Sequence, residues 1–242
     1  MAIQVKPNPT SGDSKKQQVE EMFDNISPRY DFLNHFLSLG FDYSWRSEVR
    51  KNVHGLGAKY ILDVATGTAD LAIELSKIKG SSIVGIDISQ GMLDFGQRKL
   101  QRKKCIDRIV LIQADSEKLP FDNATFEAVT VSFGVRNFEN LSFGLSEMFR
   151  VLKPGMAMVV LEFSKPSHPM FSKLYWFYFK NILPVFGKIL SRSSNAYSYL
   201  PQSVAAFPEG EEFSSLVKSV GFRNVSIKPL TFGICTMYTC EK

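Results

Sequence analysis

The chain has few of the residues that build metal centres and disulfide frameworks. Of its 242 residues, three are cysteine and three are histidine. An odd cysteine count in a chain this long (Cys105, Cys235, Cys240) argues against a disulfide framework and for a reducing compartment. Cys235 and Cys240 fall in one expected strand, five positions apart, so they project from opposite faces and share no metal. His35, His54 and His168 are scattered, and no metal site is expected. No apolar run reaches the roughly 18 residues that suggest a membrane span. The basic residues form no dense stripe, and no "PPY" or Pro-Cys nucleophile appears, which disfavours nucleic acid as a substrate. The net charge of +5 suits an anionic surface or substrate without demanding a polynucleotide. The first 17 residues hold neither an apolar core nor an arginine, so they read as a flexible tail rather than a signal or transit peptide.

What is there is an ordinary globular composition, 44% hydrophobic and 22% charged, long enough for one α/β domain over residues 18–242. Residues 18–58 are expected to be helical. "VEEMFDNI" has helical spacing; then Ser27 reads as an N-cap, Pro28 as the first residue of a second helix and Gly40 as its stop. A further helix is expected over 43–53. From there strands ("YILDVA", "SSIVGID", "RIVLIQA", "EAVTVS", "MAMVVLEF") alternate with helices over 71–78, 90–103 and 140–152. That alternation predicts a parallel sheet with helices on both faces. Residues 165–207 interrupt it as an aromatic, helical insertion read as a lid. One more amphipathic helix, stopped by Gly221, precedes a final pair of strands.

The stretch "YILDVATGTAD" (residues 60–70) is a buried strand running into a glycine turn and a helix. A dinucleotide fingerprint needs three glycines, because the pyrophosphate lies against the backbone at the helix start. Only Gly67 is present, followed by Thr68 and Ala69, and Asp63 in front would repel a pyrophosphate. Alanine in that slot is expected to take the helical geometry of a first turn. S-adenosylmethionine carries an ammonium and a sulfonium and no phosphate, so a nearby acid favours it. Asp87 ends the second strand, where an acid can accept both ribose hydroxyls; Asp115 and Ser116 follow the third, within reach of an adenine amino group. Three acids at three successive strand ends point to S-adenosylmethionine.

Four long blocks then match one family. "YDFLNHFLSLGFDYSW" resembles the pattern Y-D-x-M-N-x-x-L-S-x-G-x-H-x-x-W of the menaquinone and ubiquinone biosynthesis C-methyltransferases, and "RVLKPGMAMVVLEFS" resembles their second signature. "SFGVRNF" and "YSYLPQSVAAFP" also look like family blocks, in order, from about residue 18 to the C-terminus. Leu33, Asp42, Ala69 and Met156 depart from the usual pattern. The resemblance implies a class I S-adenosylmethionine-dependent methyltransferase, a Rossmann-like α/β fold. It places cofactor contacts at Thr68, Asp87, Asp115, Ser116 and Ser132, beside Asp63 and Gly67. It also implies methylation of a ring carbon of a polyprenylated quinol, a naphthoquinol or the benzoquinol precursor of ubiquinone.

Such chemistry needs a ring carbon made electron-rich by loss of a hydroxyl proton, a group that stabilises the phenolate, and exclusion of water. Arg136 and Asn137, after the fourth strand, are the candidates to hold that oxygen, and Tyr30 the candidate to close over the ring and complete a proton relay. The alternative for Arg136, the lesser one, is an ion-pair partner for a surface acid, and the alternative for Tyr30, at least its equal, is a packing residue. Trp45 and Asn34 read as structural, and His35 and His54 as helix-surface residues. The segment over 170–190, rich in aromatics and lysine, suits the roof of an apolar tunnel or a peripheral membrane contact. The expected setting is bacterial and cytoplasmic, on the inner face of the membrane, with a homodimer left open. The rivals are another phenolic or sterol acceptor, a nicotinamide oxidoreductase, and a non-catalytic member of a quinone-synthesis assembly.

Overall fold

The computed structural model describes residues 5–166 and 194–242. Its sheet has seven strands. These are β1 (Tyr60–Val64), β2 (Ser82–Asp87), β3 (Ile109–Gln113), β4 (Phe126–Ser132), β5 (Leu152–Phe163), β6 (Arg223–Leu230) and β7 (Cys235–Glu241). Their spatial order is β3-β2-β1-β4-β5-β7-β6. The first five run parallel, while β7 runs antiparallel between β5 and β6. The order reverses between β1 and β4, and ligands of open α/β sheets sit at the strand carboxyl ends beside such a switch.

The strands are apolar on both faces because both are covered. Leu62, Val64, Val129, Val131, Met158 and Val160 face one core, closed by α5 (Leu141–Val151) and by α7 (Glu211–Val220). Their neighbours in sequence, Ile61, Ala128, Val159 and Leu161, face the other, closed by α2 (Phe41–Gly55) and α3 (Asp70–Leu75). Each such side chain contributes about 1.5–3 kcal/mol by burial, so a charge at Val129 would break the sheet between its two layers. Cys235 joins the second core and Cys240 the first, on opposite faces of β7 as their spacing requires. Helix α4 (Gln90–Lys103) connects β2 to β3, and α6 (Ser194–Ala206) precedes α7.

Two expectations for the N-terminus need correction. Helix α1 runs unbroken over Lys15–Leu37, starting inside the stretch read as a tail, with Ser14 and Gln17 forming a reciprocal capping box. Pro28 lies inside α1 rather than opening a second helix. A proline there leaves the carbonyl four residues back without its amide donor. Ser27 Oγ supplies the missing bond, donating to the Asp24 carbonyl at 2.9 Å. Of the 165–207 insertion, residues 167–193 lie outside the described residues, and with them most of the expected lid. No described helix is long and apolar enough to cross a membrane.

Candidate active site

A cleft enclosing about 700 Å³ of empty space, open solvent included, lies over the carboxyl ends of β1, β2 and β4. The loop after β1 forms its floor. Gly67 has φ +56° and its amide donates to Asp87 Oδ2 at 2.8 Å, tying that loop to the end of β2. The second Asp87 oxygen accepts the Ser89 amide at 2.9 Å. Burial pushes the Asp87 carboxyl up to about 6, against these backbone bonds, so it is mostly ionised at neutral pH.

Ala69 does not take helical geometry. It caps α3 with φ 68° and ψ 23°, in the left-handed region. Ala65 and Phe133 also have positive φ, so strained backbone gathers in the loops after β1 and β4, as it does at functional sites.

The other sequence-chosen residues divide into two sets. Asp87, Asp115, Ser116, Ser132, Gly67, Tyr30 and Asn137 all line the cleft. Asp63, Thr68 and Arg136 are not among the lining residues. Asp63 is 1% exposed and accepts from Thr66 Oγ1 at 2.6 Å and Thr130 Oγ1 at 2.8 Å, so it braces the loop from behind. Burial pushes its carboxyl up to about 6. Thr68 donates its hydroxyl to Asp31 and accepts from Lys99 Nζ at 2.9 Å, joining α1 and α4 rather than reaching a ligand. Arg136 turns away from the cleft: its Nη1 donates to Glu162 Oε1 at 2.6 Å and to the Phe133 carbonyl at 2.5 Å. The partner of Arg136 is thus a buried acid, not a surface one.

Sequence reasoning also missed residues. Lys16, Val19 and Phe23 of α1 line the cleft with Tyr30, so the N-terminal helix is one of its walls. Lys16 Nζ is 2.5 Å from Asp115 Oδ2 and 3.7 Å from Glu117 Oε2. Beside it, buried Lys15 donates to the carbonyls of Arg136 at 2.9 Å and Phe138 at 2.8 Å. The signal for Lys16 was the capping box at Ser14, which marks a helix start; the polar composition concealed it. His35 is not a plain helix-surface residue either, since its Nδ1 is 2.6 Å from Asp42 Oδ2.

The lining holds four carboxyl groups, Asp87, Asp115, Glu117 and Glu139, against one cation, Lys16. That donor set fits a cationic sulfonium ligand and opposes a pyrophosphate. Solved structures of the same fold include a SAM-dependent methyltransferase of Thermotoga maritima, with TM-score 0.64 and 15% identity, covering 92% of this chain and 99% of that one. Another, from Aquifex aeolicus, has TM-score 0.57 and 16% identity over 78% of this chain and 87% of that one. Together with the family match and relatives that follow, the fold defines an S-adenosylmethionine-dependent methyltransferase of class I. Residues 11–242 match the model of the ubiE/COQ5 methyltransferase family, and the chain belongs to that family. The demethylmenaquinone methyltransferase of Bacteroides fragilis is 45% identical over 241 residues, 99% of this chain and 98% of that protein. The ubiquinone/menaquinone biosynthesis C-methyltransferase UbiE of Geobacter sulfurreducens is 46% identical over 230 residues, 94% and 90% of the two chains. The expected fold, cofactor and enzyme class are borne out.

Proposed function

We propose that this enzyme methylates a ring carbon of a polyprenylated quinol, demethylmenaquinol being the acceptor and menaquinol the product. The observation that carries this reading is the pairing of an acid-lined cleft with Tyr30 and Asn137 on its wall. The full-length likeness to a demethylmenaquinone methyltransferase of Bacteroides fragilis supports the choice of ring. The benzoquinol precursor of ubiquinone is the second reading, favoured by the likeness to the Geobacter sulfurreducens UbiE.

S-adenosylmethionine supplies an electrophilic methyl group when bound. Gly67, Asp87, Asp115, Ser116 and Ser132 would hold it, and the residues facing it have distinct tasks. Burial pushes the Tyr30 hydroxyl up to about 12, so it stays protonated and acts as a donor to the ring oxygen, not as a base. Asn137 Nδ2 is 3.4 Å from the Phe133 carbonyl and its Oδ1 has no partner among the described residues, leaving an acceptor for a ring hydroxyl. Phe23, Phe133 and Phe138 supply apolar wall on which a ring can lie and from which water is excluded.

The test is methyl transfer from labelled S-adenosylmethionine to chemically reduced short-chain demethylmenaquinone, with the reduced benzoquinone precursor in parallel. Product from the naphthoquinol alone supports the first reading, and product from the benzoquinol alone supports the second. No product from either, with cofactor binding intact, overturns both. Peripheral membrane contact through the lysines over 170–190 belongs to the same proposal. It calls for salt-sensitive flotation with anionic vesicles and none with neutral ones.

A further inference from the structure

A second polar cluster lies behind the cleft wall. Glu162, at the carboxyl end of β5, is 1% exposed. Its Oε1 is bonded to Arg136 and also accepts the Phe163 amide at 2.9 Å. Its Oε2 has no hydrogen-bond partner among the described residues, and of the nine buried atoms of which that is true, three more belong to this neighbourhood: Arg136 Nε, Asn137 Oδ1 and the Tyr199 hydroxyl. Tyr199, on α6, is 3% exposed and feels the charges of both Arg136 and Glu162. Buried polar atoms are nearly always paired, so four orphans here need an explanation beyond packing. The cluster borders the cleft at two places. Asn137 lines the cleft, and Tyr199 packs in one apolar cluster with Val19, which also lines it.

We infer that Glu162 takes up the proton that leaves the acceptor ring's hydroxyl, with Arg136 holding the carboxylate and the Tyr199 hydroxyl carrying the proton between cleft and carboxylate. This rests on the quinol reading above. The guanidinium of Arg136 cannot serve as the base, because it stays protonated. Tyr30 cannot, because its hydroxyl is held neutral.

The step balances as follows. The ring O–H bond breaks, its proton replaces the one that Tyr199 passes on, and an O–H bond forms at Glu162 Oε2. The electron pair left on the ring oxygen spreads to the neighbouring carbon, which forms the new bond to the methyl group as the methyl–sulfur bond of the sulfonium breaks and its electron pair stays on sulfur as a neutral thioether. That carbon then releases its own hydrogen as a proton to solvent, the ring regains its aromatic electrons, and the oxygen recovers its proton from Glu162. One proton is released per methyl group, and nothing is oxidised.

Glu162 is the carboxyl group of this buried cluster. Burial raises its carboxyl above the usual range while Arg136 opposes the rise. Facing it are Arg136 from the turn after β4, Tyr199 from α6, and Cys235 and Tyr238 from β7. Burial pushes both tyrosines up to about 12 and the Cys235 thiol well above its ordinary value. Lys15, bonded to the Arg136 carbonyl, is pulled down to about 8 by burial and titrates on the alkaline side.

The experiment compares wild type, Glu162→Gln and Tyr199→Phe by pH–rate profile, with cofactor affinity measured by calorimetry on each. The acceptors are reduced short-chain demethylmenaquinone and a halogenated analogue whose hydroxyl is more acidic. At S-adenosylmethionine concentrations that saturate the enzyme at every pH, so that the Asp87 titration does not show, Glu162→Gln is expected to lower kcat by roughly 100-fold or more and to abolish the acid limb of kcat. It should recover at least about tenfold of that loss with the acidic acceptor, with cofactor affinity unchanged. Tyr199→Phe should show the same pattern at about tenfold. An acid limb retained in Glu162→Gln, or an equal loss on both acceptors, would make Glu162 a strut for Arg136 and overturn the inference alone. If Glu162→Gln does not fold, Tyr199→Phe decides: full turnover on the less acidic quinol overturns the relay. Wild-type inactivity on both acceptors overturns the substrate reading, and the inference with it.

Discussion

Asp87 is ionised at pH 7 although burial raises its carboxyl to about 6, and its cofactor role depends on that margin. The ribose hydroxyls donate to the anion, so affinity for S-adenosylmethionine should hold above pH 6 and fall by up to tenfold per unit below it. Titration calorimetry from pH 5 to 8 checks this, and Asp87→Asn should flatten the profile while weakening binding by about 1.5–3 kcal/mol. The stability effect has the opposite sign. A carboxyl whose folded pKa is raised binds its proton more tightly when folded, so Asp63 and Asp87 favour the fold most at low pH. Their contribution declines as pH rises from about 4 to 6. Gly134 has a different constraint, because a Cβ there would lie 2.6 Å from Ala65 Cβ, between the two cleft loops. Gly134→Ala should cost about 1–3 kcal/mol in denaturant melts and weaken cofactor binding as the loops part. At this scale the sequence was partly legible. A strand-end acid announces itself by position, as Asp87 and Asp115 did. Whether a residue beside the turn faces the ligand or the scaffold depends on partners far along the chain, as Asp63 and Thr68 show.

Helix α1 is held to the methyltransferase sheet by charges rather than by a broad apolar face. Asp24 Oδ1 accepts from Ser89 Oγ at 2.6 Å and from the Gly91 amide at 2.9 Å, at the start of α4. Lys99 of α4 lies 2.6 Å from both Asp31 of α1 and Asp70 of α3. His35 and Arg46 extend this network through Asp42, which departs from the histidine usual in the family pattern. Removing the shared cation should leave Asp31 without its ion-pair partner and Asp70 with only the more distant Arg46 and His35, each 3.5 Å away. Lys99→Met is expected to destabilise the fold by about 2–4 kcal/mol in chemical denaturation. It should also raise the KM for S-adenosylmethionine more than it lowers kcat, since the network positions a wall and touches no reacting atom. The extent of α1 was hard to read because its first turn is wholly polar and Pro28 looks like a boundary. The bond from Ser27 to the Asp24 carbonyl, which makes that proline tolerable inside a helix, has no one-dimensional signature.

Across the whole molecule the three thiols occupy different environments. Cys235 and Cys240 are fully buried, with burial pushing their thiols up, while Cys105 is partly exposed. A chromogenic disulfide reagent at pH 7.5 should therefore modify only Cys105 in the native protein, and all three once it is unfolded. The alternation of strands and helices from β1 to β5 was legible because a doubly covered sheet demands continuous apolar strands such as Ile83–Ile86 and Ala157–Leu161, bounded by turn residues. The reversed direction of β7 was not, since a strand reads the same in either orientation. The buried pair of Arg136 and Glu162 was also hidden: the two stand on different strand ends 26 residues apart, and only the pairing of β4 with β5 unites them.

The contacts of α1 have a consequence for how the chain is made. Lys15 bonds to Glu139, 124 positions later, and Lys16 to Asp115, 99 positions later. At roughly 5–20 residues per second of synthesis, the first helix to leave the ribosome waits about 6–25 s for the partner of Lys15. In that interval its apolar residues Val19, Met22 and Leu33 lack Tyr199 of α6, the residue they pack with. The part of the enzyme born first is therefore seated late, and nascent chains stalled before residue 139 should keep α1 open to proteases.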